Sequence, residues 1–456
     1  MPSDIDAQLS AVFERCERDH DRNLADLFTL LRQPSVSAQN IGVRECAELE
    51  RKLIVDAGGT VHWLETPTHP LIVAEFPGPA GSPTLVFYGH YDVQPPDPLD
   101  AWETPPFEPV IRDGRIYARG VADNKAQHFA HIAALRAWRD ETGGWPVSVK
   151  LILDGEEEIG SPNFEAVLSA HKELLSADLV VSADGATLRH DRPSISYGLR
   201  GIVSFELRVR GASSDLHSGN WGGVAPNAAW RLVHVLATML SPDNVPLIDG
   251  FMDDVAPLSQ AAREAIDRVP IDVAEVVKGI GIDRLPPPDN LPYLDRIMAR
   301  PTITINGLTS GYQGKGGKTV IPSEASAKID MRLVPNQDPR TILELVEAHL
   351  RRVAPDVEFI PSGGITRPSS TPLDHPLAET VRRAVRTGFG AEPIELPLVG
   401  ASSPDAVFTK DLGLASFHIP YGVPDQRNHG PNENMPVERF FTGIRTSAAL
   451  IAELAK

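Results

Sequence analysis

The run Thr84-Leu85-Val86-Phe87-Tyr88-Gly89-His90-Tyr91-Asp92-Val93 decides the fold. Its first five residues are apolar or β-favouring and do not alternate with polar ones. That pattern belongs to a strand buried on both faces, as in a parallel sheet covered by helices. In such a sheet, ligands bind just beyond the carboxyl ends of the strands. His90 stands at that place. Working outward, apolar runs at 71–74, 147–153 and 177–181 read as further strands. Helical spacing of apolar residues marks 5–31, and helices are expected at 44–57, ending at Gly58-Gly59, and at 125–138. Strand–helix–strand alternation of this kind predicts an α/β fold with a mostly parallel central sheet and helices on both faces.

The texture changes near residue 197. Residues 202–210 alternate inside and outside, as in a half-exposed strand. A helix is expected at 225–240, then a Pro- and Asp-rich stretch at 241–290, strands at 302–306 and 325–334, and a helix at 341–353. This is a smaller α+β module with one open sheet face and an edge strand available for pairing. The α/β texture returns with a helix at 378–388, a strand at 415–419 and a closing helix to residue 456. The sequence therefore predicts a catalytic domain in two pieces, 1–200 and 371–456, interrupted by a dimerisation or lid domain at 201–370.

The length of 456 residues allows two or three domains at about 150 residues each. With 43 Lys+Arg against 61 Asp+Glu, the formal charge is −18, the wrong sign for a nucleic-acid or anionic-membrane partner. Cys16 and Cys46 cannot make a disulfide framework and read as buried or idle thiols. The acidic start lacks a basic segment followed by an apolar core, and no apolar run approaches the roughly 18 residues of a membrane span. A soluble cytoplasmic protein is expected.

Further motifs fall at other strand ends. Asp92 can accept a hydrogen bond from the second ring nitrogen of His90 and fix its tautomer. Gly120-Val121-Ala122-Asp123-Asn124-Lys125 opens a helix, where a carboxylate either caps the helix or bridges two cations. Asp154-Gly155-Glu156-Glu157-Glu158-Ile159-Gly160-Ser161 follows the strand at 147–153. Adjacent glutamates at a buried strand end repel one another unless protons or cations intervene. Ala183-Asp184-Gly185 and Asn428-His429-Gly430-Pro431-Asn432-Glu433 complete the set. Mixed imidazole and carboxylate donors suit zinc, manganese or cobalt better than calcium or magnesium. Two such ions about 3.5–4 Å apart can share a carboxylate and activate a water.

These motifs together resemble the di-metal peptidase family that includes the carnosine dipeptidases, carboxypeptidase G, acetylornithine deacetylase and succinyl-diaminopimelate desuccinylase. The resemblance spans nearly the whole chain, in order. Asp215-Leu216-His217-Ser218-Gly219, Lys318-Thr319-Val320-Ile321-Pro322 and Met331-Arg332-Leu333-Val334-Pro335 look most like the carnosine and cytosolic non-specific dipeptidase branch. The resemblance implies two divalent ions per chain, zinc before manganese or cobalt. His90 and Asp184 would hold one, Glu158 and His429 the other, and Asp123 both. Asp92 would orient His90, and Glu157 would be the general base. Aligning Gly160-Ser161 with the family's Gly-Ser leaves Glu156 a bystander. His217 would reach a partner subunit's site and steady the oxyanion. Arg332 and Thr319 would contact the substrate carboxylate, joined by the loop carrying Gly400 and Ser402. Ala401 departs from the glycine usual in the dipeptidases and bears on pocket shape. The implied activity is hydrolysis of dipeptides by a homodimer, the inserted domain forming the interface and closing over a small peptide. The alternatives are a deacylase or amidase of N-acyl amino acids and a carboxypeptidase on longer peptides. The remaining histidines, His128, His131, His234 and His418 among them, read as core or surface residues.

Overall fold

The Thr84–His90 strand lies inside an eight-stranded sheet. The computed structural model describes residues 4–288 and 290–456. Across the sheet the order is Thr60–Leu64, Leu71–Phe76, Ser148–Asp154, Thr84–His90, Leu179–Ser182, Ala415–His418, Ser194–Ser196, Ile394–Leu396. The four middle strands from Ser148–Asp154 to Ala415–His418 run parallel. The two strands beyond Ser148–Asp154 pair antiparallel, and a single antiparallel pair, His418 with Ser196, joins the other edge. The sheet is mixed, with a parallel centre.

Alternation within the parallel strands covers both faces. Leu85, Phe87, Leu151 and Val181 enter the large core formed with the Asp4–Arg18, His20–Arg32, Val43–Asp56, Ala126–Thr142, Ala378–Phe389 and Val437–Leu454 helices. Val86, Tyr88, Ile152 and Val180 enter a second core with Phe164, Leu168, Leu175, Val407 and Phe408. The stretch at 5–31 is helical but divides at Asp19 into two helices. From Thr84–His90 the chain passes to the parallel neighbour Ser148–Asp154 on one side and then to Leu179–Ser182 on the other. That reversal makes the carboxyl end of Thr84–His90 a topological switch point, where open α/β sheets bind ligands.

Residues 201–366 carry a separate antiparallel sheet in the order Thr302–Ser310, Glu324–Leu333, Gly201–Arg210, Glu358–Thr366. Val203, Phe205, Leu207 and Val209 face the Ala228–Leu236 and Pro339–Val353 helices, as the alternation predicts. The strand Glu358–Thr366 is not foreseen by the sequence reading. Its Pro361 and Gly363-Gly364 look like a loop, and its edge position tolerates them. The Pro- and Asp-rich stretch likewise contains two short helices, Gln260–Asp267 and Val273–Gly279.

Candidate metal centre

Gly89 sets the height of the site. A Cβ there would lie 2.5 Å from the His128 Cβ and 2.8 Å from Asn124 Oδ1, so only glycine lets the strand approach the Ala126–Thr142 helix this closely. His90, fully buried, follows at the strand end. Its Nε2 lies 3.1 Å from Asp123 Oδ1 and 3.7 Å from Asp184 Oδ2. Its Nδ1 faces Asp92, 3.1 Å from the main-chain oxygen and 3.4 Å from Oδ1. His429 Nε2 stands 2.9 Å from Asp123 Oδ2 and 3.4 Å from Glu158 Oε2. The five side chains expected to gather do gather, with Asp123 between the two histidines. Donor atoms of His90, Asp123 and Glu158 all lie within 4.8 Å of one another.

The loops that present them are pinned. Asp92 accepts the backbone N–H groups of Glu157 and Glu158 at 3.2 and 3.0 Å, tying the glutamate turn to His90. Asn124 accepts the His90 N–H at 3.3 Å and donates to the Ala183 carbonyl at 2.6 Å, joining two strand ends. Gln94 donates to Glu158 at 2.9 Å, and Asn428 to Asp123 at 3.3 Å. The carboxylate of Glu433, fully buried, accepts the N–H groups of Gly120, Ala122 and Asp123 at 2.9, 2.8 and 3.0 Å, and pairs with buried Arg119 at 2.6 Å. His429 itself has φ +60°, a left-handed conformation that non-glycine residues enter mainly at turns and functional sites. Gln94, Asn124, Asn428 and Glu433 were not singled out from sequence. Glu156 turns away and is held by Thr66, Thr68, the His69 N–H and Asn163.

The electrostatics show what kind of group the cluster would hold. Burial pushes Glu157 well above the ordinary carboxylate range, with Asp184, Glu158 and Asp123 adding repulsion. Glu158 is pushed up to about 9 by burial and Asp123, and Asp184 to about 6 for the same two reasons. Asp123 moves the other way: burial opposes ionisation, but His429 and His90 hold it far below the usual range. His90 is raised well above an ordinary imidazole, because Asp123 and Asp92 outweigh its burial. Glu158 Oε1 is buried without a hydrogen-bond partner among the described residues. Crowded carboxylates that resist ionising, and an orphaned oxygen, fit divalent cations. The imidazole–carboxylate donor set fits a first-row transition metal.

A cleft of about 750 Å³ runs from Asp123, Glu157 and His429 to Arg332, Gly400 and Ser402. Arg332 Nη1 donates to Ser402 Oγ at 3.1 Å and to the Gly400 carbonyl at 3.2 Å. His217 and Thr319 lie elsewhere. They sit side by side at 3.5 Å on the short strands Leu216–His217 and Val320–Ile321 and the turn before the latter, both exposed and neither lining this cleft.

A metal-binding cluster at a sheet's switch point, a carboxylate beside it and a guanidinium across the cleft define a metal-dependent hydrolase. The sequence matches the profile of peptidase family M20/M25/M40 over residues 86–453, and the chain belongs to that family. It is 28% identical over 440 residues to the Beta-Ala-His dipeptidase of Rattus norvegicus, covering 94% of this chain and 88% of that protein. It is 29% identical over 400 residues to the Cys-Gly metallodipeptidase of Schizosaccharomyces pombe, covering 86% and 84%. Among solved structures it resembles an M20 family metallo-carboxypeptidase of Sulfolobus solfataricus, with a TM-score of 0.88 and 33% identity over 95% of this chain and 99% of that one. Among the described residues no helix is long and apolar enough to cross a membrane.

Proposed function

We propose that this chain is a cytoplasmic two-metal dipeptidase. His90 and Asp184 would hold one divalent ion, Glu158 and His429 the other, and Asp123 would serve both, with zinc favoured over manganese or cobalt. The observation that carries the reading is the convergence of these five side chains from five separate stretches of chain. When bound, the ions supply Lewis-acid charge that acidifies water and polarises a carbonyl.

The remaining work belongs to side chains. Asp92 keeps His90 in one orientation. Glu157, lining the cleft beside the cluster, takes the proton of the attacking water and delivers it to the leaving amine. Arg332 and Ser402 hold the substrate carboxylate through a guanidinium fork and a hydroxyl. Ala401 narrows that end of the pocket relative to glycine. His217 and Thr319, exposed and outside this chain's cleft, act in the cleft of a second copy, so the enzyme is a homodimer. The division into 1–200, 201–370 and 371–456 makes the middle segment the dimerisation and closing element. The likeness to a metallo-carboxypeptidase favours a second reading, release of single residues from longer peptides. Hydrolysis of a panel of dipeptides, tripeptides and N-acyl amino acids, with zinc and with manganese, tests both. Dipeptides are expected to be cleaved best. Preference for tripeptides would select the carboxypeptidase, and preference for N-acyl amino acids a deacylase.

A further inference from the structure

Beneath the metal cluster a row of polar side chains crosses the sheet. Tyr88 pairs with Ser182, Ser182 with His418, and His418 with Ser196, on four adjacent strands. Directly paired residues share a face, and residues two apart on one strand do also. His90 and Asp184 stand two residues beyond Tyr88 and Ser182, so the row lies one step below them. All four residues line the cleft, and all are more than nine-tenths buried, at 2, 2, 6 and 3% exposure along the row. Tyr88 Oη and Ser182 Oγ find no hydrogen-bond partner among the described residues. His418 Nε2 faces the cleft with Asp405 Oδ2 3.4 Å away as its only charged neighbour among the described residues, and Asp405 is held in turn by the Ser416 hydroxyl.

Buried polar atoms are normally satisfied, and a group of orphans beside a cleft implies a ligand or water that satisfies them. The location says which part of a substrate this is. Ser196 pairs with Leu396, and the chain continues from there to Gly400 and Ser402, which Arg332 contacts. The row therefore underlies the path from the cluster to the carboxylate-binding end. A dipeptide with its scissile bond at the cluster and its carboxylate at Arg332 hangs its last side chain over this row.

We propose that Tyr88, Ser182, His418 and Ser196 form the subsite for the side chain of the substrate's carboxyl-terminal residue, and that it selects an uncharged hydrogen-bonding side chain over an aliphatic one. This rests on the dipeptidase reading above. An aliphatic side chain displaces water and leaves buried donors and acceptors unpaired. An acidic one meets Asp184 and Asp405.

The test compares kcat/KM for Ala-Gln and the near-isosteric Ala-Met, with Ala-Gly read in parallel, for the wild type and for His418→Leu and His418→Gln. The wild type is expected to prefer Ala-Gln by about tenfold or more, the scale of one unmade hydrogen bond in a closed site. His418→Leu should collapse that ratio toward unity, and His418→Gln should keep it within a few-fold of the wild type. Ser196→Ala, at the far end of the row, should reduce it less and stands in if His418→Leu does not fold. Equal use of Ala-Gln and Ala-Met by the wild type overturns the subsite, as does an equal fall in both His418 variants. Turnover of Ala-Gly with an unmoved ratio removes the subsite alone. Failure of the wild type to cleave any of the three removes the dipeptidase reading and the subsite with it.

Discussion

The rim of the large sheet and the tip of the inserted segment were both expected to carry chemistry, and the fold treats them differently. At the rim, Asp123 and Glu158 are held by hydrogen bonds with Gln94, Asn428, Glu433 and Asp92, and His90 is fully buried against Asp92, whereas His429 is exposed and meets Asp123 and Glu158 directly. At the tip, His217 is exposed, and among the described residues its ring hydrogen-bonds the Gly219 N–H at 3.0 Å and lies 3.5 Å from the Thr319 hydroxyl. Burial and a pinned scaffold fix donor atoms to the tolerance that metal binding needs. An exposed histidine on a two-residue strand is suited to a contact completed from outside. In the proposed reading, one chain holds the metal cluster and a second copy completes the machinery for the transition state.

Changing the cluster should have the largest effect. Asp123→Asn is expected to remove metal binding and to reduce turnover to background, measured by elemental analysis alongside hydrolysis; normal metal content would break the assignment of Asp123 as the shared ligand. Glu157→Gln should cut kcat by about 10²–10⁴-fold while metal content stays near that of the wild type. Substantial activity in that variant would show that Glu157 is not the base. At the tip, His217→Ala should lower kcat by about 10²–10³-fold with the dimer intact, the scale of one lost oxyanion donor. Mixing it with Glu157→Gln should restore part of the activity, because one hybrid site then carries both native residues. No recovery would place His217 outside the partner's site.

Between the two regions, Arg332→Ala should reduce kcat/KM by about 30-fold, chiefly through KM, since it removes a charge-assisted contact worth about 2 kcal/mol. The scaffold should respond in stability more than in rate. Glu433→Gln leaves Arg119 buried without a counter-charge and is expected to cost about 3 kcal/mol or more, read as an earlier denaturation transition. An unchanged transition would mean that the backbone N–H groups of 120–123 alone suffice to hold the loop.

Much of this was legible in the sequence because each element carries its own signal. The continuous apolar run before His90 reads as a strand buried on both faces, and it put His90 at a strand's carboxyl end. The alternation at 202–210 correctly predicted a half-covered sheet. Motifs near the ends of parallel strands gather on one side of the sheet, which groups His90, the 156–158 glutamates, Asp184 and His429; the choice of Glu158 as a ligand and of Asp123 as the shared one came from the resemblance to the di-metal peptidases. Other features gave no such signal. The three-residue strands Ser194–Ser196 and Ile394–Leu396 are too short to show a period and are defined by their pairing with each other and by the His418–Ser196 pair. Glu433 was visible as a residue, but its lock on Arg119 and the Asp123 loop spans more than 300 positions and leaves no local trace. His418 reads as a core histidine from its apolar neighbours, and its burial agrees. Its place in a row of buried polar groups depends on the register of four strands.

The central claim is that five side chains at one sheet edge hold a pair of divalent ions. Elemental analysis of the purified wild-type protein after exchange into zinc, compared with Asp123→Asn treated identically, addresses it most directly. The account predicts about two bound equivalents per wild-type chain, the stoichiometry of a co-catalytic pair, and their loss in the variant together with dipeptide hydrolysis. Hydrolysis that persists in wild-type protein stripped to well below one equivalent would contradict it.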